Sequence, residues 1–560
     1  MGIPSYFSYV SKHHNIVKKI KNAVYTDNLY FDSNSTIYNA IRKLNATTET
    51  PHIVIYEEVI TQIIEYITYI IPRNTLYVAF DGVAPFAKMK QQRERRHRSA
   101  ILSLYEKDIS KNVDSIEETS FDKASITPGT PFMQGLDKYM NDHLVVRIKQ
   151  FTSKHEHPQP MIIFSGPMEV GEGEHKLFEY IRKHPKKHAK ETTYVYGMDA
   201  DLIILSLQHS QYCQSIHLFR EDLDDHLIEL NIQKMKMDIV HEVGVPGEKD
   251  ISRRITDYVL LSFILGNDFI PHSPVLNIRT NGIKNLLKTY KELVKKHPNF
   301  FLTSDKNNCI IQHKHLKMLF THMAQNEKKY LSDEYQLRNR MQHFRIPGET
   351  NDIERSKSIL LRIPQINRER EMLIQPHHNI STNSIPISKL NKCHHNTDIS
   401  EWRKVYYEIL FRTPPSASFK QKVCLCYISA LQWCLSYYTS RCIDTEWNYP
   451  YHYPPLFSDL IQYMPTMNCN YFQENPATDF LTSIQQLCYV LPPSSYHLLP
   501  ETIKERLIQY WKRYGYHYNR KDITNMRSIP LQWEFCTYIW ESHPLLPEFP
   551  MEHLKTISIS

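Results

Sequence analysis

Four apolar, β-branched runs set the frame for this chain: NLYFD at 28–32, TLYVAFD at 75–81, MIIFSG at 161–166 and TTYVYGMDAD at 192–201. Stretches with helical apolar spacing lie between them. Strands separated by helices build a parallel sheet, whose ligand site lies along the carboxyl edge of the strands. Three of the runs end in acids, at Asp32, at Asp81 and at the pair Asp199 and Asp201. The pattern therefore predicts an α/β fold, with a mostly parallel central sheet flanked by helices and carboxylates where a site would be.

The remaining run leads into FSGPMEVGEGEHKLFEYI at 164–181, where an amphipathic helix opens with Glu172 and Glu174. Inside regular helix, two residues apart means roughly 200° of rotation, and the carboxylates would diverge. Gly171 and Gly173 allow a turn that folds both toward one point. The alternative is a helix start that merely favours acids through its dipole. Asp199 and Asp201, at the end of a strand-like run, fall on one face if the chain there is extended. Asp268 follows the apolar segment DYVLLSFILGND, with Gly266 as a helix terminator. Singly, an Asp at a strand end is usually a cap or turn residue. Seven together (Asp32, Asp81, Glu172, Glu174, Asp199, Asp201, Asp268) would repel unless a cation intervened, and all-carboxylate donors favour Mg²⁺ or Mn²⁺ over zinc. Two such ions suit phosphodiester hydrolysis. His175 is expected to support the acids rather than ligate.

Directly after Asp81 comes GVAPFAKMKQQRERRHRSA, whose helical part places Lys88 and Gln92 with Arg95 or Arg96 on one face. A solvated basic face is the ordinary reading of such a run. Its start beside a proposed metal ligand favours a grip on a terminal phosphate instead. The net charge of +7 suits a polyanion without demanding one. Ten cysteines without a CxxC pair read as reduced core thiols of an intracellular protein. The segment at 53–71 carries three glutamates and reads as a core helix, so no membrane span is expected. KHPKKHAK at 183–190 reads as a solvated loop rather than a nuclear signal. The expected division is 1–335 as one domain, a charged, histidine-rich connecting segment at 336–400, and an aromatic-rich region at 401–560 packed on the first.

At this point the sequence resembles the XRN family of 5′→3′ exoribonucleases. The matching stretches are MGIPSYFSYVS, NLYFDSNS, FDGVAPFAKMKQQRERRHR, SITPGTPFM, IIFSGPMEVGEGEHK, YGMDADLIIL, LGNDFIP, LQWCLSYY, WNYPYHYPPLFSD and LCYVLPP, in family order over nearly the whole chain. The resemblance implies a flap-endonuclease or PIN-like nuclease core, completed by a mainly helical second region. It implies that the seven acids hold two Mg²⁺ ions with Asn34 nearby, and that Lys88, Gln92, Arg95 and Arg96 receive the 5′-monophosphate of single-stranded RNA. An aromatic pair would hold the leading bases: Tyr38, standing where relatives carry histidine, and Trp447. Pro85 marks where a duplex would separate. No zinc knuckle is present, and the chain resembles a core-only, monomeric, cytoplasmic-type member. The implied activity is processive RNA degradation to mononucleotides. The rivals are a structure-specific DNA flap nuclease and a catalytically inactive RNA-binding protein.

Overall fold

The computed structural model describes residues 2–3, 5–111, 121–222, 224–304, 310–341, 401–469, 471–472, 479–536 and 539–557. Its first half is built on a seven-stranded sheet: β1 (Val17–Lys19), β2 (Val24–Asp32), β3 (Ile70–Ala79), β4 (Met161–Ser165), β5 (Thr192–Tyr196), β6 (Ser215–Glu221) and β7 (Leu227–Asn231). The order across the sheet is β1-β7-β6-β5-β2-β3-β4. Pairing is parallel from β4 through β6, and antiparallel where β7 joins β6 and β1.

Alternating side chains give this sheet two cores. Tyr30, Tyr77, Ala79 and Val195 face one, while Leu29, Phe31, Leu76, Val78 and Tyr196 face the other. Central strands buried on both sides read as continuous apolar runs, which is why β2 to β5 stand out in the sequence. The segments of β6 and β7 alternate between buried and half-buried residues toward the sheet edge, and their apolar signal is correspondingly weaker. From β2 the chain moves outward through β3 and β4, then returns to place β5 and β6 on the opposite side of β2. Strand order thus reverses at β2, and the crevice at its carboxyl end is the switch point at which such sheets bind ligands.

The second region is mainly helical, with helices Glu401–Leu410, Ala417–Thr439, Phe457–Tyr463, Ser483–Val490 and Glu501–Tyr514, plus a small pair, β8 (Leu531–Gln532) and β9 (His543–Pro544). Among the described residues it has no separate interior. Trp402, Tyr406, Tyr427, Trp433 and Leu460 belong to the same core as Tyr30 and Val195. A third core joins Val83, Phe86 and Met89 to Leu487, Trp511 and Phe549.

Several expectations are adjusted. The helix expected at 53–71 runs His52–Tyr69, and its last two residues open β3. The boundary at 335 falls within the helix His313–Met341, and 342–400 lie outside the described residues. KHPKKHAK is largely exposed, as expected, but Pro185–His188 is a short helix rather than loop, and buried His188 is hydrogen-bonded to the Tyr30 hydroxyl at 2.7 Å. The eight described cysteines are free thiols, and Cys469 is exposed rather than in the core. Among the described residues no helix is long and apolar enough to cross a membrane.

Candidate active site

Asp32 is the last residue of β2 and Asp81 stands just past β3, so two acids arrive on adjacent strand ends. Asn34 clamps the second: its side-chain amide donates to Asp81 Oδ2, and its Oδ1 accepts the Asp81 N–H at 3.1 Å. Asp81 Oδ1 in turn accepts the Gly173 N–H at 2.7 Å, which ties the loop after β4 to the end of β3. A Cβ on Gly173 would lie 2.8 Å from Asp32 Oδ1 and 3.4 Å from Asp81 Oδ1, so the close approach of these two acids requires glycine. Gly171 turns the chain with φ of +99°, a conformation other residues rarely adopt.

The helix question raised by the sequence has a definite answer. Glu172 is the N-cap of the helix Gly173–Lys183, with extended backbone, and Glu174 lies in its first turn. One residue outside the helix and one inside, both carboxylates are buried, and each offers an oxygen within 4.8 Å of a His175 nitrogen and of the other. For Asp199 and Asp201 the extended-chain reasoning is corrected. β5 ends at Tyr196, Ala200 is helical, and Asp201 is the first residue of the helix Asp201–His209. Asp201 is buried, with Oδ1 lacking a hydrogen-bond partner, whereas Asp199 is exposed. Asp268 follows the helix Ile251–Ile264 through Gly266 at φ of +90°, and its Oδ1 accepts the Gly2 N–H at 3.1 Å.

Lys88 departs most from expectation. Its ammonium lies 2.7 Å from Glu172 Oε2 and 2.9 Å from Asp268 Oδ2, within the acid cluster itself. Burial would lower its pKa, but the surrounding carboxylates of Glu172, Asp268, Glu174 and Asp201 outweigh that and raise it well above the lysine range. The acids respond unequally. Burial and the charges of Asp81 and Asp199 push Asp32 well above the carboxylate range, and burial with Glu172 and Asp201 does the same to Glu174 despite Lys88. Burial and Asp268 raise Asp201 to about 7, whereas Asp268, for which burial is outweighed by Lys88, is held at about 2. Lys88 thus does not balance the acids, of which Asp32, Glu174 and Asp201 stay raised. A donor set dominated by carboxylates, with Asp201 Oδ1 and His175 Nε2 buried and without hydrogen-bond partners, fits a divalent cation.

The basic helix spans Phe86–Lys111, and its start is gripped by the second region: Phe86 N–H donates to Thr445 O at 2.8 Å, and Ala84 N–H to Gln486 Oε1 at 3.0 Å. Pro85, buried just before it, accepts the N–H groups of Lys88 and Met89. Beyond Lys88 on the same face, Gln92 Oε1 and Arg96 Nη1 are buried without hydrogen-bond partners. Burial and neighbouring Arg95 lower the Arg96 guanidinium to about 10, with Tyr38 and Asp122 opposing. Tyr38, 41% exposed on the helix Asn34–Lys43, thus stands near Arg96. No ring contact joins Tyr38 to Trp447. Trp447 instead begins a column of rings: it stacks on Trp433 at 5.2 Å, Trp433 on Tyr437 at 4.9 Å, and Tyr437 on His175 at 3.7 Å.

Three residues important to this geometry had no role in the sequence reading. Tyr437 donates its hydroxyl to Glu172 Oε1 at 2.7 Å, fixing that carboxylate from the second region. Buried Lys176 donates to Phe80 O at 2.8 Å and Gly166 O at 2.9 Å, pinning the ends of β3 and β4 together. Gly2 fills the space against Asp201, where a Cβ would lie 2.2 Å from Oδ1. Tyr437 lies within LQWCLSYY, so the stretch was visible, but no local pattern connects it to a glutamate 265 positions away.

A mostly parallel sheet with carboxylates gathered at its switch point, continued by a helical region, is a PIN-like nuclease architecture. The family model for the XRN 5'-3' exonuclease N-terminus matches residues 1–222, and that for the Xrn1 helical domain matches 248–509. The chain belongs to the XRN family. It is 29% identical over 556 residues to human 5'-3' exoribonuclease 1, covering 89% of this chain and 31% of the human protein. Similarity to 5'-3' exoribonuclease 1 of Saccharomyces cerevisiae is 26% over 627 residues, covering 90% of this chain and 40% of the yeast protein. Arabidopsis thaliana 5'-3' exoribonuclease 2 is 25% identical over 587 residues, covering 85% and 57% respectively. The chain thus spans between about a third and three fifths of the length of these curated relatives.

Proposed function

We propose that the chain is a 5′→3′ exoribonuclease that takes single-stranded RNA with a 5′-monophosphate and releases mononucleotides processively. The observation that carries this reading is the pairing, along one helix, of Lys88 in the acid cluster with the buried, unpartnered polar atoms of Gln92 and Arg96. Four to eight residues of helix separate them, a rise of about 6–12 Å. A terminal phosphate bound by Gln92, Arg95 and Arg96 would leave the next phosphodiester over the carboxylates. A dianion there supplies an acceptor for Arg96 Nη1, which has none, while Nη2 donates to Ile126 O at 3.5 Å.

Asp32, Asp81, Glu172, Glu174, Asp199, Asp201 and Asp268 would hold Mg²⁺ or Mn²⁺, as two ions. When bound, the metal would supply an activated water and charge for the departing oxygen. The chain's own residues do the rest. Asn34 and Tyr437 orient Asp81 and Glu172, and Lys88 balances part of the negative charge beside the scissile phosphate. Trp447 and Tyr38 offer ring faces for the leading bases, a contact that tolerates any sequence. A pocket that ends at one phosphate disfavours a triphosphate or cap.

The deciding experiment is digestion of end-labelled 5′-monophosphorylated RNA with Mg²⁺ and then with EDTA, beside a labelled DNA flap. Stepwise loss of mononucleotides from the RNA 5′ end, abolished by EDTA, is expected. Preferential cleavage of the flap would instead favour the structure-specific DNA nuclease, and inertness on both would favour an RNA-binding role.

A further inference from the structure

The basic helix has a second face, directed away from Lys88 and Gln92. There Lys90 donates to Tyr449 O at 2.6 Å, Arg98 to Ser542 O at 2.8 Å, and Glu94 stands between them. Glu94, His452 and His543 each offer a ligand atom, all within 4.8 Å of one another. They come from three distant parts of the chain: the basic helix, the loop that follows Trp447, and β9.

We propose that these three side chains form a zinc site, of two imidazoles and one carboxylate with water in the fourth position, that staples the C-terminal segment and the Trp447 loop to the basic helix. The donor set is one that zinc favours, and two observations favour a metal over a plain ion pair. Glu94 Oε1 lies 3.4 Å from His452 Nε2, longer than the ~2.7–2.9 Å of a charge-assisted N–H···O bond. It matches the ~3.3 Å edge of a tetrahedron whose ligands stand about 2.0–2.1 Å from zinc. The second observation concerns which nitrogen carries the proton. Gln532 donates its amide to Leu410 O at 2.9 Å, so its Oε1 is the atom facing His452 Nδ1 at 3.2 Å. In the neutral imidazole Nδ1 is therefore the donor to that oxygen, and the Nε2 lone pair is directed at Glu94. A hydrogen bond to the far nitrogen is the usual way in which a metal-bound imidazole is oriented.

The small sheet positions the third ligand. Gln532 is the ladder partner of His543 across β8 and β9, and the His543 ring stacks on His452 at 4.7 Å. One hydrogen-bonded pair of residues thus fixes both imidazoles. The nearby cations are directed elsewhere: Lys90 Nζ is 3.9 Å from Glu94 Oε1 but bonded to the Tyr449 carbonyl, and Arg98 to that of Ser542.

The test uses the intact protein, stripped with EDTA, dialysed, and titrated with Co²⁺ in excess Mg²⁺, which keeps the carboxylate cluster occupied. One equivalent should produce the intense visible band of tetrahedral Co²⁺, displaced by one equivalent of Zn²⁺, and Zn²⁺ should raise the melting temperature. Glu94→Gln and His543→Gln, checked for folding by circular dichroism, should lose the band. X-ray absorption at the zinc edge of the wild-type protein, which needs no variant, should report two imidazole nitrogens. A weak octahedral spectrum, a band that persists in folded His543→Gln, or no stoichiometric binding would overturn the proposal. Failure of the RNA digestion would leave it standing, because the readouts are metal content and coordination.

Discussion

At the scale of single residues, the acids differ in how their charge is met. Lys88 neutralises Glu172 and Asp268 directly, while Asp201 keeps an unpartnered oxygen and a pKa raised to about 7 by burial and Asp268. The unfolded chain releases that proton near the ordinary aspartate value of about 3.9. Between about pH 4 and 7 the native state therefore holds a proton that the unfolded state has lost, and its stability falls as pH rises through that window. In EDTA, wild-type melting temperature should decline more steeply from pH 5 to 8 than that of Asp201→Asn, and Mg²⁺ should remove most of the difference. Parallel curves for the two proteins would mean that Asp201 is not the strained acid. Glu174→Gln should cut RNA cleavage at least about a hundredfold while RNA still binds, since it removes a carboxylate and leaves the basic pocket intact. Activity above a tenth of wild type would take Glu174 out of the site. The convergence of Glu172 and Glu174 was legible because a glycine precedes each. The seat of Lys88 was not, because helical spacing gives the face a side chain leaves from but not the carboxylates that meet it.

At the scale of elements, the basic helix is the organising piece. One face carries Lys88, Gln92 and Arg96, and the other carries Lys90, Glu94 and Arg98 toward the second region. If the first face receives a terminal phosphate, Arg95→Ala with Arg96→Ala should erase most of the preference for monophosphorylated over hydroxyl-ended RNA, measured as a ratio of initial rates. An unchanged ratio would return these residues to general backbone binding. The loop at Trp447 gives a parallel test. Stacking on a base is worth about 1–3 kcal/mol, so Trp447→Ala should slow degradation by roughly one to two orders of magnitude and shorten processive runs. The sequence marked β2 to β5 and the helix at 53–71 because continuous apolar runs and helical periodicity are local signals. It missed β1, β6 and β7, whose pairing at the sheet edge is antiparallel and whose burial is partial. The start of the helix at Asp201 was read as strand because its apolar residues, Leu202 to Leu205, are all buried and show no periodicity.

At the scale of the whole molecule, the two regions share two of the three cores, and this has a thermodynamic consequence. Trp433, fully buried in the second region, packs against Phe269 at 5.1 Å and stacks on Tyr437, whose hydroxyl holds Glu172. Phe269 is the residue after Asp268. A cavity at Trp433 would thus be felt by two carboxylates of the nuclease half, through a neighbour of one and a hydrogen-bond donor of the other. Removing a buried tryptophan side chain costs about 3–5 kcal/mol. If the halves unfold together, their combined unfolding entropy, about 2.1 cal/mol/K per residue, converts that cost into a fall in melting temperature of roughly 2.5–4 °C. Trp433→Ala should therefore shift a single transition, seen alike by near-ultraviolet circular dichroism and by calorimetry, and loss of nuclease activity on heating should follow the same curve. Two transitions, only one of which moves, would mean that the second region is an independent unit docked on a self-sufficient nuclease domain, and that Tyr437 reaches Glu172 across an interface rather than through a common core.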